Sequence, residues 1–135
     1  MKKDFSAKWK SSTKPRKQRK WRFMAPLHLR GAMLSAHLSK DLRKKHGRRA
    51  FPLRKGDEVK VMIGSFKGKT GKILEVNTTK AKAYLENVQR TKKDGKKVFV
   101  PIDPSNLMIT SLNLDDKKRI KALSKEAKKA EEKKK

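Results

Sequence analysis

The residues best suited to binding chemistry are glycines and lysines that alternate within one short stretch, residues 53–76. Gly64, Gly68 and Gly71 fall within eight residues of one another. Glycine adopts positive φ without penalty, so this spacing is typical of tight turns, bulges or close backbone approach to another molecule. The cations of the same stretch are Arg54, Lys55, Lys60, Lys67, Lys69 and Lys72. The pattern fits a loop that contacts phosphate, although a plain solvated hairpin has the same composition.

No arrangement of side chains in the sequence indicates catalysis. Asp57 and Glu58 are adjacent, so on a strand they point to opposite faces and cannot easily act as a carboxylate pair. The glycines lack the Gly-Lys-Ser/Thr ending of a nucleotide-binding P-loop, because Lys69-Thr70 leads back into a strand. The three histidines recur nine residues apart with no acidic cluster beside them, which does not fit a metal site. We therefore expect no enzyme, no cofactor, no metal and no small-molecule substrate.

The charge of the chain points to a polyanionic partner. Its 135 residues carry 40 lysines and arginines against 13 aspartates and glutamates, a formal charge of +27. A compact protein with that charge repels itself, so nucleic acid and an anionic membrane are the candidate partners. No run approaches the roughly 18 apolar residues of a membrane span, and no helix pattern combines a basic face with a wide apolar one. Nucleic acid is therefore favoured, and no membrane is expected.

More than half of the excess charge lies in residues 1–50, which hold 17 basic and 2 acidic side chains. The first 24 residues have no apolar face of useful width, so they are not expected to fold alone. Trp9, Trp21 and Phe23 sit among the cations, where arginine forks suit phosphates and aromatic rings suit unpaired bases. The alternative is that Trp21 and Phe23 pack against the protein's own domain.

The second half of this extension is expected to form two short helices. Pro26 suits a first helical position. The residues that keep helical spacing after it are Leu27, Arg30, Leu34, His37 and Leu38. Ser39 is placed to cap a second helix over Lys40–His46, which Gly47 would terminate. Helices of this length are marginal without tertiary packing or a partner.

Residues 51–114 are expected to form a small, strongly curved antiparallel barrel, because five short strands are separated by turn signals. Asp94-Gly95 is a strong hairpin signal. Pro101 falls inside the fourth strand and cannot donate to a ladder, which places it at an edge or a bulge. The predicted strands cover residues 59–63, 72–76, 82–88, 98–102 and 107–110.

Residues 115–135 are expected to form a charged helical tail. Asp115-Asp116 stands where a helix N-terminus favours acidic residues. Ile120, Leu123 and Ala127 give a thin apolar stripe at helical spacing, and the remainder is polar enough to lie in solvent. The predicted fold class is therefore mainly β: a barrel between a basic, partly helical extension and a charged tail.

Several motifs resemble one family. Residues 55–73, KGDEVKVMIGSFKGKTGKI, are similar to a KOW motif, which in that family spans two strands of an SH3-like barrel and their RNA-contacting loop. The flanking segments WRFMAPLHLR (21–30), LSKDLR (38–43) and DPSNLMIT (103–110) resemble universal large-subunit ribosomal protein twenty-four in its archaeal and eukaryotic form, numbered twenty-six in eukaryotes. The resemblance covers about residues 12 to 123.

This resemblance implies a structural constituent of the large ribosomal subunit that binds large-subunit ribosomal RNA. It also implies neighbouring ribosomal proteins as partners, an early role in subunit assembly, a position near the nascent-chain exit, and a cytoplasmic location in the ribosome. The residues expected at the RNA are Arg16, Arg19, Lys20, Trp21, Arg22, Arg30, Arg48, Arg49, Lys55, Lys67, Gly68, Lys69 and Lys72.

Two alternatives stay open at the level of sequence. A KOW-type transcription elongation factor would bind polymerase, but such proteins usually carry a second domain before the barrel. Residues 1–50 are too basic and too poor in apolar residues for one. A small chromatin protein with an SH3-like barrel would instead coat duplex DNA.

Overall fold

The computed structural model of the protein describes residues 12–132, with side chains described through residue 124. Expectations on Trp9 and on the side chain of Ala127 lie outside that range. In chain order the elements are α1 (Pro15–Met24), α2 (Leu27–Met33), β1 (Ser35–Leu38), α3 (Lys40–His46), β2 (Ala50–Pro52), β3 (Glu58–Val61), β4 (Thr70–Asn77), β5 (Lys82–Leu85), β6 (Gln89–Thr91), β7 (Lys97–Phe99), a 3₁₀ turn (Pro104–Asn106), β8 (Leu107–Ser111) and α4 (Lys117–Glu132).

A mixed six-stranded sheet forms the centre of the fold, in the order β2-β1-β8-β3-β4-β5. β1 runs parallel to β8, with His37 opposite Met108 and Leu38 opposite Ile109, whereas the other neighbours are antiparallel. The prediction of a mainly β small domain with a partly helical extension and a helical tail is confirmed. The sheet is not closed into a barrel, and it contains a parallel pair because the extension adds β1 and β2 at one edge.

The prediction that helical structure continues to Leu38 is wrong, because residues 35–38 form β1. Leu34 and Leu38 fit a helix spacing, but Leu34, Ala36 and Leu38 are all buried while His37 is exposed. That is the period of a strand with one buried face, so pairing with β2 and β8 overrides the local helical pattern.

The second predicted helix is confirmed with both of its ends. The side chain of Ser39 accepts a hydrogen bond from the Leu42 backbone N–H at 3.3 Å, and Gly47 terminates α3 with φ of 64°. A hydroxyl cap satisfies one of the orphan N–H groups at a helix start, and glycine takes the left-handed conformation without a Cβ penalty.

The hairpin at Asp94-Gly95 is confirmed, although it forms its own two-stranded sheet from β6 and β7. Gly95 has φ of 74°, and its N–H donates to the Lys92 carbonyl at 3.0 Å. The predicted fourth strand over 98–102 is therefore split. β7 ends at Phe99, and Ile102 makes an isolated bridge to Ala83 on the main sheet.

The core combines side chains of the main sheet with side chains from the extension and from α4. Ala36, Leu38 and Phe51 come from before β3, and Leu123 comes from α4. The rest lie on or beside the main sheet: Leu53, Val59, Val61, Ile73, Ala83, Leu85, Val88, Ile102, Leu107 and Ile109. The extension and the tail thus pack on the same core, and the domain boundaries at residues 50 and 114 stay a prediction.

One buried ion pair fastens the start of α4 to the sheet. Arg119 is 4% exposed and donates from Nη1 to Asp57 Oδ1 at 2.6 Å and from Nη2 to Asp57 Oδ2 at 2.7 Å. The same carboxylate, which is fully buried, accepts from the backbone N–H groups of Arg54 and Asn113. Bidentate geometry with further donors is the arrangement in which a buried carboxylate is satisfied.

Candidate nucleic-acid interface

The connection between β3 and β4, residues 62–69, is the glycine loop. Gly64 and Gly68 adopt φ of 98° and 88°. The Lys67 N–H donates to the Gly64 carbonyl at 3.0 Å, and the Gly68 N–H donates to the Val61 carbonyl at 2.9 Å. The Val61 N–H returns a bond to the Lys69 carbonyl at 2.9 Å. The loop is therefore a tight, internally bonded turn rather than a loose connection.

The outer surface of the glycine loop is open. A Cβ added at Gly64 or at Gly68 would meet nothing within 4 Å. Glycine is thus required by backbone conformation and not by packing within the protein. Lys67, Gly68 and Lys69 are exposed, and Lys69 Nζ lies 5.2 Å from the centroid of the Phe66 ring. The loop presents backbone and two ammonium groups with room for a phosphate chain to approach.

Lys55 and Lys72 are exposed cations that lie outside the glycine loop. Lys55 precedes β3, so that strand separates it from the loop. Lys72 lies on β4 opposite Glu58. It lines a cleft of about 370 Å³ together with Glu58 and Glu86, which makes this part of the surface mixed in charge.

α1 carries five of the predicted RNA-binding residues. None of its residues is buried, and its first turn holds no acidic side chain. Arg16, Arg19 and Lys20 fall three and four residues apart, so they share one helical face. Arg22 is also exposed, and Trp21 is half-buried. α1 is therefore a basic helix whose charged side chains are exposed to solvent.

The Arg30 side chain makes hydrogen bonds within the protein. Its Nε donates to the Ala25 carbonyl at 2.7 Å, and its Nη2 donates to the Phe23 carbonyl. These carbonyls belong to the end of α1, whose last C=O groups lack helical partners. Arg30 on α2 therefore fixes the angle at which α1 leaves the domain.

Arg48 and Arg49 lie between α3 and β2. The Arg49 side chain is exposed, and its carbonyl accepts from the Leu38 N–H at 2.9 Å. The guanidinium carbon of Arg48 lies 5.2 Å from the centroid of Phe51, and that of Arg119 lies 5.3 Å from the same centroid. The Phe51 ring is thus contacted both by Arg48 and by Arg119 of α4, a basic residue that the sequence did not single out.

The exposed cations of the β6–β7 hairpin also did not enter the predicted set. Every residue of both strands is exposed, including Val98 and Phe99 at 41% and 40%. The hairpin cations are Arg90, Lys92, Lys93, Lys96 and Lys97. The combination of Asp94-Gly95 with flanking lysines was the available signal for a projecting basic hairpin.

Two titratable groups are shifted by their surroundings. Burial lowers the pKa of His46, and the charge of Lys45 lowers it further. The Lys118 N–H, which donates to Asp116 Oδ1 at 2.7 Å, lowers the pKa of that carboxyl, and Arg54 adds to the effect. Both groups lie at helix ends.

Asp57 and Glu58, the adjacent carboxylates at the start of β3, differ in burial. Asp57 is buried while Glu58 is exposed, which confirms that these neighbours point to opposite faces. Among the side chains that the structure describes, residues 12–124, no group of three or more His, Asp or Glu is able to hold a metal ion. No helix over the same residues has the length and apolar character to cross a membrane.

A comparison with protein-family models identifies the chain. The model for the ribosomal proteins called L26 in eukaryotes and L24 in archaea matches residues 12–126. The match covers the extension from residue 12, the sheet with its glycine loop, and α4 as far as residue 126, and it confirms the resemblance drawn from the sequence. Members of this family are structural ribonucleoprotein components of the large ribosomal subunit that serve translation. The chain belongs to the family of eukaryotic L26 and archaeal L24 ribosomal proteins.

Proposed function

We propose that this protein binds large-subunit ribosomal RNA chiefly through phosphate contacts, with little readout of base sequence. The observation that carries the proposal is the glycine loop, where Lys67 and Lys69 flank backbone at Gly68 that no side chain covers. Phosphate contacts position a protein on a nucleic acid, and A-form RNA is recognised largely by shape.

The glycine loop and α1 have different proposed roles in RNA binding, because their cations lie on different parts of the fold. The glycine loop sits on the rigid sheet, which suits it to fix where the protein docks. α1 carries exposed Arg16, Arg19, Lys20 and Arg22, which suits it to track RNA backbone and neutralise it. Trp21 is proposed to stack on an unpaired base, and Arg30 supports the interface by holding α1 in place. Arg48, Arg49, Lys55 and Lys72 complete the proposed set.

The cellular setting is part of the proposal. Within the cytoplasmic ribosome the protein would lie near the nascent-chain exit, contact neighbouring ribosomal proteins and act early in assembly of the large subunit. Membership of a ribosomal family supports these statements over a polymerase-bound elongation factor or a DNA-coating protein.

Sedimentation tests the proposed function. The protein should sediment with large subunits at moderate salt and be stripped at high salt. With six to ten phosphate contacts, its affinity for purified ribosomal RNA should fall by about 10³ to 10⁵ between about 50 and 200 mM salt. Affinity that does not change with salt would refute the electrostatic account. Co-purification with polymerase, or preference for duplex DNA over ribosomal RNA in competition, would favour the alternatives.

A further inference from the structure

Phe23 is the most exposed large apolar side chain in the described part of the chain. It is 77% exposed, and it lies near the C-terminal end of α1, a helix that buries none of its residues. The cation–π contacts found among the described residues do not involve its ring. The ring therefore contributes little to the protein's own core, and most of its surface is open to another molecule.

Phe23 continues the row of cations along α1. Arg16, Arg19, Lys20 and Phe23 have the spacing that places residues on one face of a helix. We call these four residues the Phe23 face. From Arg16 to Phe23 the helix rises about 10 Å, the length of about three stacked nucleotides. Trp21 is two positions before Phe23, and residues two apart do not share a helical face.

The Phe23 face carries positive charge without a carboxylate beside it. α1 holds five cations, and its sequence contains no aspartate or glutamate. Among the described residues, none of the ion pairs involves Arg16, Arg19 or Lys20. The charge of these three side chains is therefore available to phosphate groups.

The end of α1 that bears Phe23 is held against the rest of the protein. The Phe23 carbonyl accepts a hydrogen bond from Arg30 Nη2, and the Ala25 carbonyl accepts one from Arg30 Nε at 2.7 Å. Ala25 itself is 2% exposed. The backbone at the ring is thus fixed before any partner arrives, which reduces the ordering cost of binding.

These features favour an unpaired RNA strand as the ligand. Bases inside a duplex are already stacked on their neighbours, whereas unpaired bases can stack on aromatic side chains. Proteins that bind single strands combine cations that follow the backbone with aromatic rings on which bases stack. A protein partner would need carboxylates for three cations and an apolar surface for one ring, but every nucleotide carries a phosphate and a base side by side.

We propose that the Phe23 face binds an unpaired segment of large-subunit ribosomal RNA, with phosphates on its three cations and one base stacked on Phe23. This inference rests on the proposed function and deepens it. It specifies the kind of RNA that α1 binds, and it adds a stacking residue on a different helical face from Trp21. Because stacking tolerates every base, the site selects unpaired RNA without reading its sequence.

Two substitutions at Phe23 in the full chain separate the ring from apolar character. Phe23→Leu keeps an apolar side chain without the ring, and Phe23→Tyr keeps the ring. We expect Phe23→Leu to lower affinity for purified large-subunit ribosomal RNA about tenfold, within the range for one lost base–aromatic stack, and Phe23→Tyr to stay within about twofold of the wild type. Wild-type affinity in Phe23→Leu, or equal losses in both variants, would overturn the proposal.

Leu27→Ala is the matched control, because Leu27 is 70% exposed but begins α2 and lies off the Phe23 face. It should leave the affinity for ribosomal RNA at the wild-type level. Phe23→Leu should leave the slope of log affinity against log salt unchanged, since no cation is lost, whereas Arg19→Ala should reduce it by about 1. Equal losses of affinity in Leu27→Ala and Phe23→Leu would indicate a general apolar contact and overturn stacking.

Oligoadenylate and an abasic oligomer with the same number of phosphates test the contact with a base directly. The wild-type protein should bind oligoadenylate more tightly, and Phe23→Leu should reduce that preference. No preference in the wild type, or an unchanged one in Phe23→Leu, overturns the inference and leaves the proposed function intact if ribosomal RNA is still bound. Failure to bind ribosomal RNA at all would overturn both.

A photo-crosslinker in place of Phe23 separates RNA from the other possible occupant, a neighbouring ribosomal protein. In isolated large subunits we expect a crosslink that ribonuclease removes. A crosslink to protein that resists ribonuclease would overturn the assignment to RNA.

Discussion

Arg119 and Asp57 lie 62 positions apart in the chain and meet in a bidentate pair whose two N–O distances are 2.6 and 2.7 Å. The pair joins the first turn of α4 to the residue just before β3. Both residues are almost fully buried, so neither charge is compensated by solvent if the other is removed. The pair is therefore the buried electrostatic part of the contact between the tail and the sheet, beside the packing of Leu123 in the core and the Arg54–Asp116 pair.

Replacing Arg119 by methionine should destabilise the fold strongly. The substitution leaves the Asp57 carboxylate buried without its cation, and breaking a buried pair in this way costs about 3–5 kcal/mol. Urea denaturation followed by circular dichroism measures the loss. Lys121→Met on the exposed side of α4 is the matched control, and surface changes of this kind stay within about 0.5 kcal/mol. The account fails if the two variants unfold at the same urea concentration.

Substitutions at Gly68 should separate backbone strain from the space needed by RNA. Gly68→Ala places a Cβ at φ of 88° and should cost about 1–2 kcal/mol of stability, because alanine disfavours the left-handed region. Gly68→Asn fills the same open space but tolerates that conformation better. We expect alanine to lose more stability and both variants to lose affinity for ribosomal RNA. Wild-type affinity in a folded Gly68→Asn protein would contradict close approach of the RNA to the loop.

Neutralising the lysines of the glycine loop should weaken RNA binding without unfolding the protein. Lys67→Ala and Lys69→Ala remove exposed ammonium groups, and each lost phosphate contact should reduce the salt slope by about 1. Lys80→Ala, in the exposed turn after β4, is a control with the same change of charge. Filter binding over a range of salt gives the slopes. Slopes that fall equally for Lys67→Ala and Lys80→Ala would mean that only total charge matters.

Acid should loosen the start of α4 through Asp116. The pKa of this carboxyl is lowered from its ordinary value of 3.8, first by the Lys118 N–H. The folded state therefore binds fewer protons than the unfolded state near that pH, and the stabilisation is present above pH 3.8 and lost as pH falls through the lower folded-state pKa. Thermal unfolding between about pH 5 and pH 2 should show a steeper loss for the wild type than for Asp116→Asn. Parallel curves would exclude this contribution.

Features with a local cause could be read from the sequence. Ser39 and Gly47 define the ends of α3 because a cap and a left-handed terminator act through backbone atoms a few residues away. Asp94-Gly95 determines its hairpin for the same reason, since a tight turn depends on the φ values of its own residues. The spacing of Gly64, Gly68 and Gly71 likewise indicated a tight turn, although spacing alone did not distinguish a phosphate-contacting loop from a plain hairpin.

Features that depend on distant partners could not be read in this way. Leu34 and Leu38 fit a helix as well as a strand until β8 is known to pair with β1. Arg119 is one of ten basic residues in the last 21, and nothing in its local sequence distinguishes it. Arg119 differs from its neighbours only because it pairs with the buried carboxylate of Asp57, and this contact exists only in the folded structure.

The pairing of β1 with β8 means that β1 is synthesised long before the strand with which it pairs. His37 pairs with Met108, which is made 71 residues later, and chains are synthesised at about 5–20 residues per second. Until β8 emerges, β1 has only β2 beside it, and an isolated two-stranded pair is marginal in water. The most basic part of the chain is therefore made several seconds before its place in the sheet exists. Until β8 is made, the positive charge of residues 1–50 belongs to a segment whose two strands have no third strand to pair with.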